Sequence, residues 1–126
     1  MTPLTQTYFY GGYEEGRTRG NCWQTAIASV LDLPLETVPH FVQAHEDGVM
    51  DWWAYTLGWL NHHGYVMYSL DRHVYTNEYY LVTGKSPRGD FYHVVVYQNG
   101  KMVHDPHPDR TGVLDEESMH IIRVKP

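Results

Sequence analysis

Two periodicities divide the chain. From Cys22 onward the apolar residues Ala26, Ile27, Val30 and Leu31 recur at helical spacing, and the run meets Leu33-Pro34, where proline disfavours helical geometry in the residue before it. This predicts a first helix over about Cys22 to Asp32. Pro34-Leu35-Glu36-Thr37-Val38 reads as a short helical turn closed by Pro39, and His45-Glu46-Asp47-Gly48 as a loop. Asp51 then offers an N-cap carboxylate to a second long helix, which runs through Trp52, Trp53, Leu57 and Leu60 to His63, with Gly64 in the C-capping position.

Beyond Gly64 the period changes to two. Tyr65 to Leu70, Tyr79 to Thr83, Phe91 to Tyr97, Lys101 to Asp105 and Met119 to Val124 all read as strands. Helices first and strands last predict an α+β fold, with the N-terminal helices packed on one side of an antiparallel sheet. At 126 residues, with no internal repeat and no low-complexity stretch, the length suits a single domain over residues 1–126. Ahead of the first helix, Tyr8, Phe9, Tyr10 and Tyr13 alternate with Gly11, Gly12, Gly16 and Gly20. Such ring-rich composition predicts an irregular segment packed by its aromatic side chains, not a linker.

Composition narrows the function classes. A formal net charge of −6, from 9 Lys plus Arg against 15 Asp plus Glu, supplies no basic footprint for a phosphate backbone, so nucleic acid is not an expected partner. No apolar run approaches the ~20 residues that span a bilayer, so no membrane partner is expected either. The single cysteine precludes an intramolecular disulfide, and Met1-Thr2-Pro3-Leu4-Thr5-Gln6 lacks the basic start and apolar run of a secretion signal, which predicts a reducing, cytoplasmic setting. The 11 Tyr and 4 Trp belong mostly to core and rim, and a subset suits the wall of a groove.

The cysteine itself is the strongest chemical signal. Gly20-Asn21 permits a sharp turn, and Cys22 falls on the first turn of the predicted helix, where open amides and the helix dipole favour thiolate over thiol. A free cysteine is otherwise most often a small buried apolar residue, but the turn-to-helix junction favours the nucleophile.

A thiolate nucleophile needs a base, and the base needs an orienting group. His93 interrupts the apolar strand Phe91-Tyr92-His93-Val94-Val95-Val96-Tyr97. A three-residue hairpin loop, Gln98-Asn99-Gly100, would place Tyr97 opposite Lys101 and His93 opposite Asp105, with β-carbons about 5 Å apart on one face. A two-residue Asn99-Gly100 turn would shift the register by one and send Asp105 to the other face. For the oxyanion, the Cys22 amide and the side chain of Gln6 are the expected donors, with Asn21 and Gln24 as alternatives. The stretch His104-Asp105-Pro106-His107-Pro108-Asp109 also has a metal reading through His104, His107 and the aspartates. Its prolines stiffen the loop and no further ligand pair lies nearby, whereas zinc sites draw three or four convergent ligands, so no metal is assigned.

A Cys at the head of a helix, a His in a later strand and an Asp-Pro one hairpin further on resemble the papain-like cysteine peptidases, particularly the compact bacterial type typified by double-glycine leader peptidases of bacteriocin exporters. Gly20-Asn21-Cys22-Trp23-Gln24, Leu33-Pro34-Leu35-Glu36-Thr37-Val38-Pro39-His40-Phe41, Ser86-Pro87-Arg88-Gly89, His93-Val94-Val95-Val96-Tyr97 and Val103-His104-Asp105-Pro106-His107-Pro108 look like a group of small bacterial and phage proteins assigned to that fold. The resemblance implies Cys22 as nucleophile, His93 as general base and acid, Asp105 as the orienting acid and Gln6 as oxyanion donor. One departure stands out: Tyr8 to Arg19 separate Gln6 from the Gly20-Asn21-Cys22 turn, a longer interval than such enzymes usually have.

Together these readings predict a thiol-dependent hydrolase of peptide, isopeptide or amide bonds, acting on a peptide or protein substrate without a cofactor. Trp23, Trp52 and Trp53 are the expected walls of its substrate groove. Acyl transfer to an amine uses the same site. The competing class is a non-catalytic phage or bacterial protein that binds and modulates a host protein through an acidic, aromatic surface.

Overall fold

The apolar period of residues 26–31 becomes helix α1, Cys22–Val30, in the computed structural model, which describes residues 1–9 and 20–126. Tyr10, Tyr13 and the glycines Gly11, Gly12 and Gly16 of the aromatic N-terminal segment lie outside the described residues. Trp23, Thr25, Ala26, Ile27, Ala28 and Ser29 are all buried, so α1 is enclosed almost all round, as a central helix must be. Its two buried hydroxyls are satisfied within the helix: Thr25 Oγ1 donates to the Asn21 carbonyl and Ser29 Oγ to the Thr25 carbonyl, each at 2.7 Å.

The expected short turn is a single 3-10 turn, Leu35–Thr37. The structure then adds a helix where a loop was expected. Helix α2, Phe41–Glu46, takes in His45 and Glu46, and its N-terminus is capped by the His40 ring, which accepts from the Gln43 amide at 3.2 Å. Six residues are too few to display a helical period, and histidine stands outside the usual capping residues, so neither signal was readable. Phe41 anchors α2 edge-on against Tyr55 and Trp59. Helix α3, Trp52–His62, starts as expected on the Asp51 carboxylate, which accepts from the Ala54 amide at 3.0 Å.

Five antiparallel strands follow: β1 Tyr65–Leu70, β2 Tyr79–Lys85, β3 Tyr92–Gln98, β4 Lys101–His104 and β5 Glu116–Val124, in the spatial order β1-β5-β2-β3-β4. The fold is α+β. Leu81, Val94 and Val96 pack with α1, Phe41 and Leu60 on one face. Tyr80, Val82, Val95 and Ile121 form a second, smaller core on the other, covered by connections that carry Val74 and Val113. Burial on both faces explains the unbroken apolar runs of β2 and β3. Among the described residues no helix is long and apolar enough to cross a membrane.

Two irregularities in the ladder decide where single side chains fall. The β3–β4 loop is not the expected three-residue one: Gln98 pairs with Lys101, and Asn99 (φ 53°) and Gly100 (φ 76°) form a two-residue turn. Both central residues take the left-handed conformation that lets such a turn match the twist of its strands, and Asn-Gly is the sequence pair best suited to it. Alone, that turn would send Asp105 to the wrong face. The ladder slips a second time, however, with Tyr97 opposite Met102 but Val96 opposite His104, so Val103 is an extra residue. This bulge restores the parity that the turn removed.

The second irregularity lies between β2 and β5. Thr83 pairs with Ser118 and Gly84 with Glu116, leaving Glu117 as the extra residue. Gly84 is required there, since a β-carbon on it would lie 2.2 Å from the Asp115 carbonyl oxygen. Gly84→Ala is therefore expected to destabilise the protein by about 2 kcal/mol in urea unfolding. Gly58→Ala, on α3 with no atom within 4 Å of the added carbon, should stabilise it by roughly 0.5–1 kcal/mol. Equal unfolding midpoints for the two variants would show that the bulge yields freely.

Candidate active site

The start of α1 is built in an unusual way. Asn21 occupies the N-cap position, yet its side chain makes no capping bond to the helix. Its Oδ1 accepts instead from the amides of Thr7 and Tyr8, both at 2.9 Å, while its Nδ2 donates to Thr7 Oγ1 and Gln24 Oε1. The Asn21 amide donates to the Tyr8 carbonyl at 3.1 Å. The side chain best suited to capping is thus used to strap the N-terminal segment alongside α1. The amide of Cys22, first residue of the helix, has no intrahelical acceptor.

Cys22 is half-buried and opens on a cleft of about 1100 Å³. The walls come from α1, from α2 through Val42, His45 and Glu46, from the β2–β3 connection, and from β5. Into this cleft β3 brings His93, only 3% exposed. Its Nε2 lies 2.6 Å from Asp105 Oδ1, and Asp105 is 1% exposed. The same carboxylate accepts from the amides of His107 at 2.9 Å and Gly112 at 2.8 Å. Nδ1 is left for the Cys22 thiol, which acts on the ring as both hydrogen-bonding partner and charge.

Electrostatics favour the charged pair. Burial is the largest influence on His93 and pulls it down, but the hydrogen bonds to Asp105 and Cys22 overcome it, and the imidazole is pushed up to about 9. Burial likewise works against the Asp105 carboxylate, but His93 and the Gly112 and His107 amides hold it below the usual range. At neutral pH the two form a buried imidazolium–carboxylate pair.

Gln6 joins them from the N-terminal segment. It is 6% exposed and lines the cleft with Cys22. Its backbone amide donates to the Pro106 carbonyl at 2.9 Å, and its Nε2 donates to the Tyr8 carbonyl at 2.9 Å. The Tyr8 carbonyl fixes the orientation of the side-chain amide, since only the nitrogen end can face it. One Nε2 hydrogen remains, and Oε1 has no partner among the described residues. The loop that carries Asp105 also holds this segment: His104 Nε2 bonds the Leu4 carbonyl at 2.6 Å, and Arg110 donates to Thr5 Oγ1 and to the Asp105 carbonyl.

The alternative donors are occupied. Asn21 is consumed by the strap, and Gln24 Nε2 donates to the carbonyls of Leu35 and Val38, facing a separate hollow. Of the three tryptophans, Trp23 and Trp52 line the cleft, edge to face with centroids 5.4 Å apart. Trp23 also belongs to the core, where its Nε1 donates to Thr56 Oγ1 at 3.0 Å. Trp53 is not a lining residue; its ring packs on Trp52 and His120, both of which do line the cleft. The residues of the metal reading have other partners in the structure. His104 bonds Leu4, His107 Nδ1 accepts from the Asp109 amide, and Asp105 serves His93; among the described residues no group of three or more candidate ligands is placed to hold an ion.

The cleft also contains residues that the spacing and residue types did not point to, notably Arg88, Glu117, Ser118 and His120. His120 sits opposite Leu81 and packs on Trp53 and Trp23, so strand alternation with Ile122 could have pointed it inward. Glu117 had no signal, because a bulge defeats alternation.

The His93–Asp105 pair sets a pH dependence for folding. Below about 6.5, imidazole is protonated in folded and unfolded chains alike and the pair's contribution is fully present. From there to about 9 only the folded ring keeps its proton, so the contribution falls as pH rises. At the acid end it is lost as pH falls below the usual aspartate range, because Asp105 titrates lower when folded. The stability of wild type in urea unfolding should therefore be greatest between about pH 4 and 6.5 and fall by about 3 kcal/mol by pH 10 relative to His93→Gln. Parallel pH profiles would show that no such pair forms. In comparisons with family models, with curated proteins and with solved structures, nothing matches this chain, so the meaning of the cleft rests on its own geometry.

Proposed function

We propose that the protein is a papain-like thiol hydrolase of peptide, isopeptide or side-chain amide bonds. The observation that carries this reading is the convergence of Cys22 and His93 in one cleft at the start of α1, with the buried Asp105 bonded to His93 behind them. Cys22 Sγ attacks the substrate carbonyl carbon as the thiolate, its proton already held by His93 as the imidazolium. The carbonyl oxygen takes up negative charge and is met by the Cys22 amide and the remaining Nε2 hydrogen of Gln6. His93 then protonates the departing amine as the C–N bond breaks, leaving a thioester on Cys22. Water attacks the thioester, gives one proton to His93, and releases the carboxylic acid and the Cys22 thiolate, which restores the starting ion pair. Asp105 stays ionised throughout and holds the ring by Nε2, so that Nδ1 always faces the sulfur.

A protein that only binds has little use for this arrangement. Placing two charges out of water is costly, and a well-packed apolar pair would serve stability as well or better. The pair is intelligible when one of its members must exchange a proton.

Iodoacetamide alkylation provides the first test. At pH 6.5, Cys22 should react at least about tenfold faster in wild type than in His93→Ala, since the imidazolium supports the reactive thiolate. Equal rates, or an unreactive thiol in wild type, would exclude the mechanism. Hydrolysis of a peptide-amide library should fall by on the order of 10³-fold or more in Cys22→Ala, and about 10²-fold in kcat with little change in KM in Gln6→Ala.

A further inference from the structure

Hydrogen-bonding capacity within the cleft is unevenly used. Its donors are largely engaged. Arg88 Nη1 donates to both oxygens of Asp109, at 3.0 and 3.1 Å, and to Thr111 Oγ1 at 3.2 Å, so its charge is matched. His93 is matched by Asp105. His120 contributes no cation, because burial holds its pKa down.

The acceptors are in the opposite condition. Among the described residues just two buried side-chain polar atoms lack a partner, Gln6 Oε1 and His120 Nδ1, and both residues line this cleft. Gln6 is more than nine-tenths buried, so water does not compensate its carbonyl oxygen cheaply; a ligand N–H would. Glu117 adds a full negative charge. It is the extra residue of the β5 bulge, it lines the cleft, and it makes no ion pair or hydrogen bond among the described residues. Bulges re-aim side chains beside functional sites, and this one is enforced by the contact of Gly84 with Asp115. The aromatic faces of Trp23 and Trp52 supply an apolar wall suited to the alkyl stem of a long cationic side chain and to cation–π contact with its head.

We infer that the cleft selects a substrate bearing a cationic side chain, lysine or arginine, with its charged head on Glu117 and a second N–H of the substrate on Gln6 Oε1. This rests on the thiol-hydrolase reading for its chemistry, although the charge preference concerns binding and is separable from it. Among the described residues, an anionic substrate would meet an unmatched carboxylate and no unmatched cation.

The probe is a set of acetylated tetrapeptide coumarylamides in which each position in turn carries Lys, norleucine or Glu. At one position at least, kcat/KM for Lys should exceed that for norleucine by about tenfold or more, with Glu below both. That ratio should drop at least about fivefold between 50 and 500 mM salt, and similarly in Glu117→Gln at low salt, as expected for a partly exposed charge pair. A Glu117→Gln urea midpoint like that of wild type excludes misfolding as the cause. Equal kcat/KM for Lys and norleucine at every position, or a Lys preference that survives Glu117→Gln, overturns the inference while leaving the hydrolase reading intact. If no peptide is turned over, the same peptides are titrated against Cys22→Ala by tryptophan fluorescence. Lys-selective binding there overturns the hydrolase reading alone; equal affinities, or no binding of any peptide, overturn the charge inference.

Discussion

The buried contact between His93 and Asp105 is the constraint to which most of the site's architecture answers. Two ionised groups at 3% and 1% exposure are tolerated only if every lone pair and proton finds a partner, because desolvation otherwise exceeds their attraction. The loop after β4 meets that condition. It presents the His107 and Gly112 amides to the carboxylate, and Arg110 binds the Asp105 carbonyl and Thr5 in turn. Through Pro106 and His104 the same loop grips the backbone of Gln6 and Leu4. Thus the group that would orient the base and the group that would stabilise the oxyanion are fixed by one loop, and neither moves without the other.

Much of this was legible in the residues themselves. Asp51 as a cap, the stop at Pro34 and the alternation of β1 all act over a few residues, so composition and spacing report them faithfully. Helix α2 was not legible, because one turn and a half of helix has no period and its cap is an imidazole. The hairpin is the instructive case. The Asn99-Gly100 turn has the stronger local chemistry, and it won over the three-residue loop; yet His93 still meets Asp105, because the bulge at Val103 adds back one residue. Alternation carries no information about bulges, which arise from strain and packing across the sheet. The pairing of the two side chains was therefore readable from residue type and distance along the chain, while the route by which they meet was not. Trp53 packs its ring on Trp52 and His120 and does not line the cleft, a difference between two neighbouring tryptophans that residue type does not report.

Each bulge decides the placement of an acidic residue, Asp105 behind His93 and Glu117 in the cleft itself. One returns Asp105 to the side of His93; the other turns Glu117 out of the β5 alternation, leaving Glu116 to bind His73 and Tyr97 elsewhere. A regular ladder would have alternated both residues differently. Small irregularities in an otherwise uniform sheet are how a fold built mainly of apolar strands places single charges.

The treatment of Asn21 follows the same logic at the other wall. A side-chain cap on α1 is worth about 1 kcal/mol, and an asparagine already stands at the position that would supply it. Its amide is used instead on Thr7, Tyr8 and Gln24. The strap makes four side-chain hydrogen bonds where a cap makes one, and it ties two segments together instead of closing one turn. Strapping Tyr8 to the helix start puts its carbonyl where it orients Gln6, and withholding the cap leaves the start of α1 without a side-chain cap beside Cys22. The thiol of Cys22, the only sulfhydryl in the chain, stands at that uncapped start.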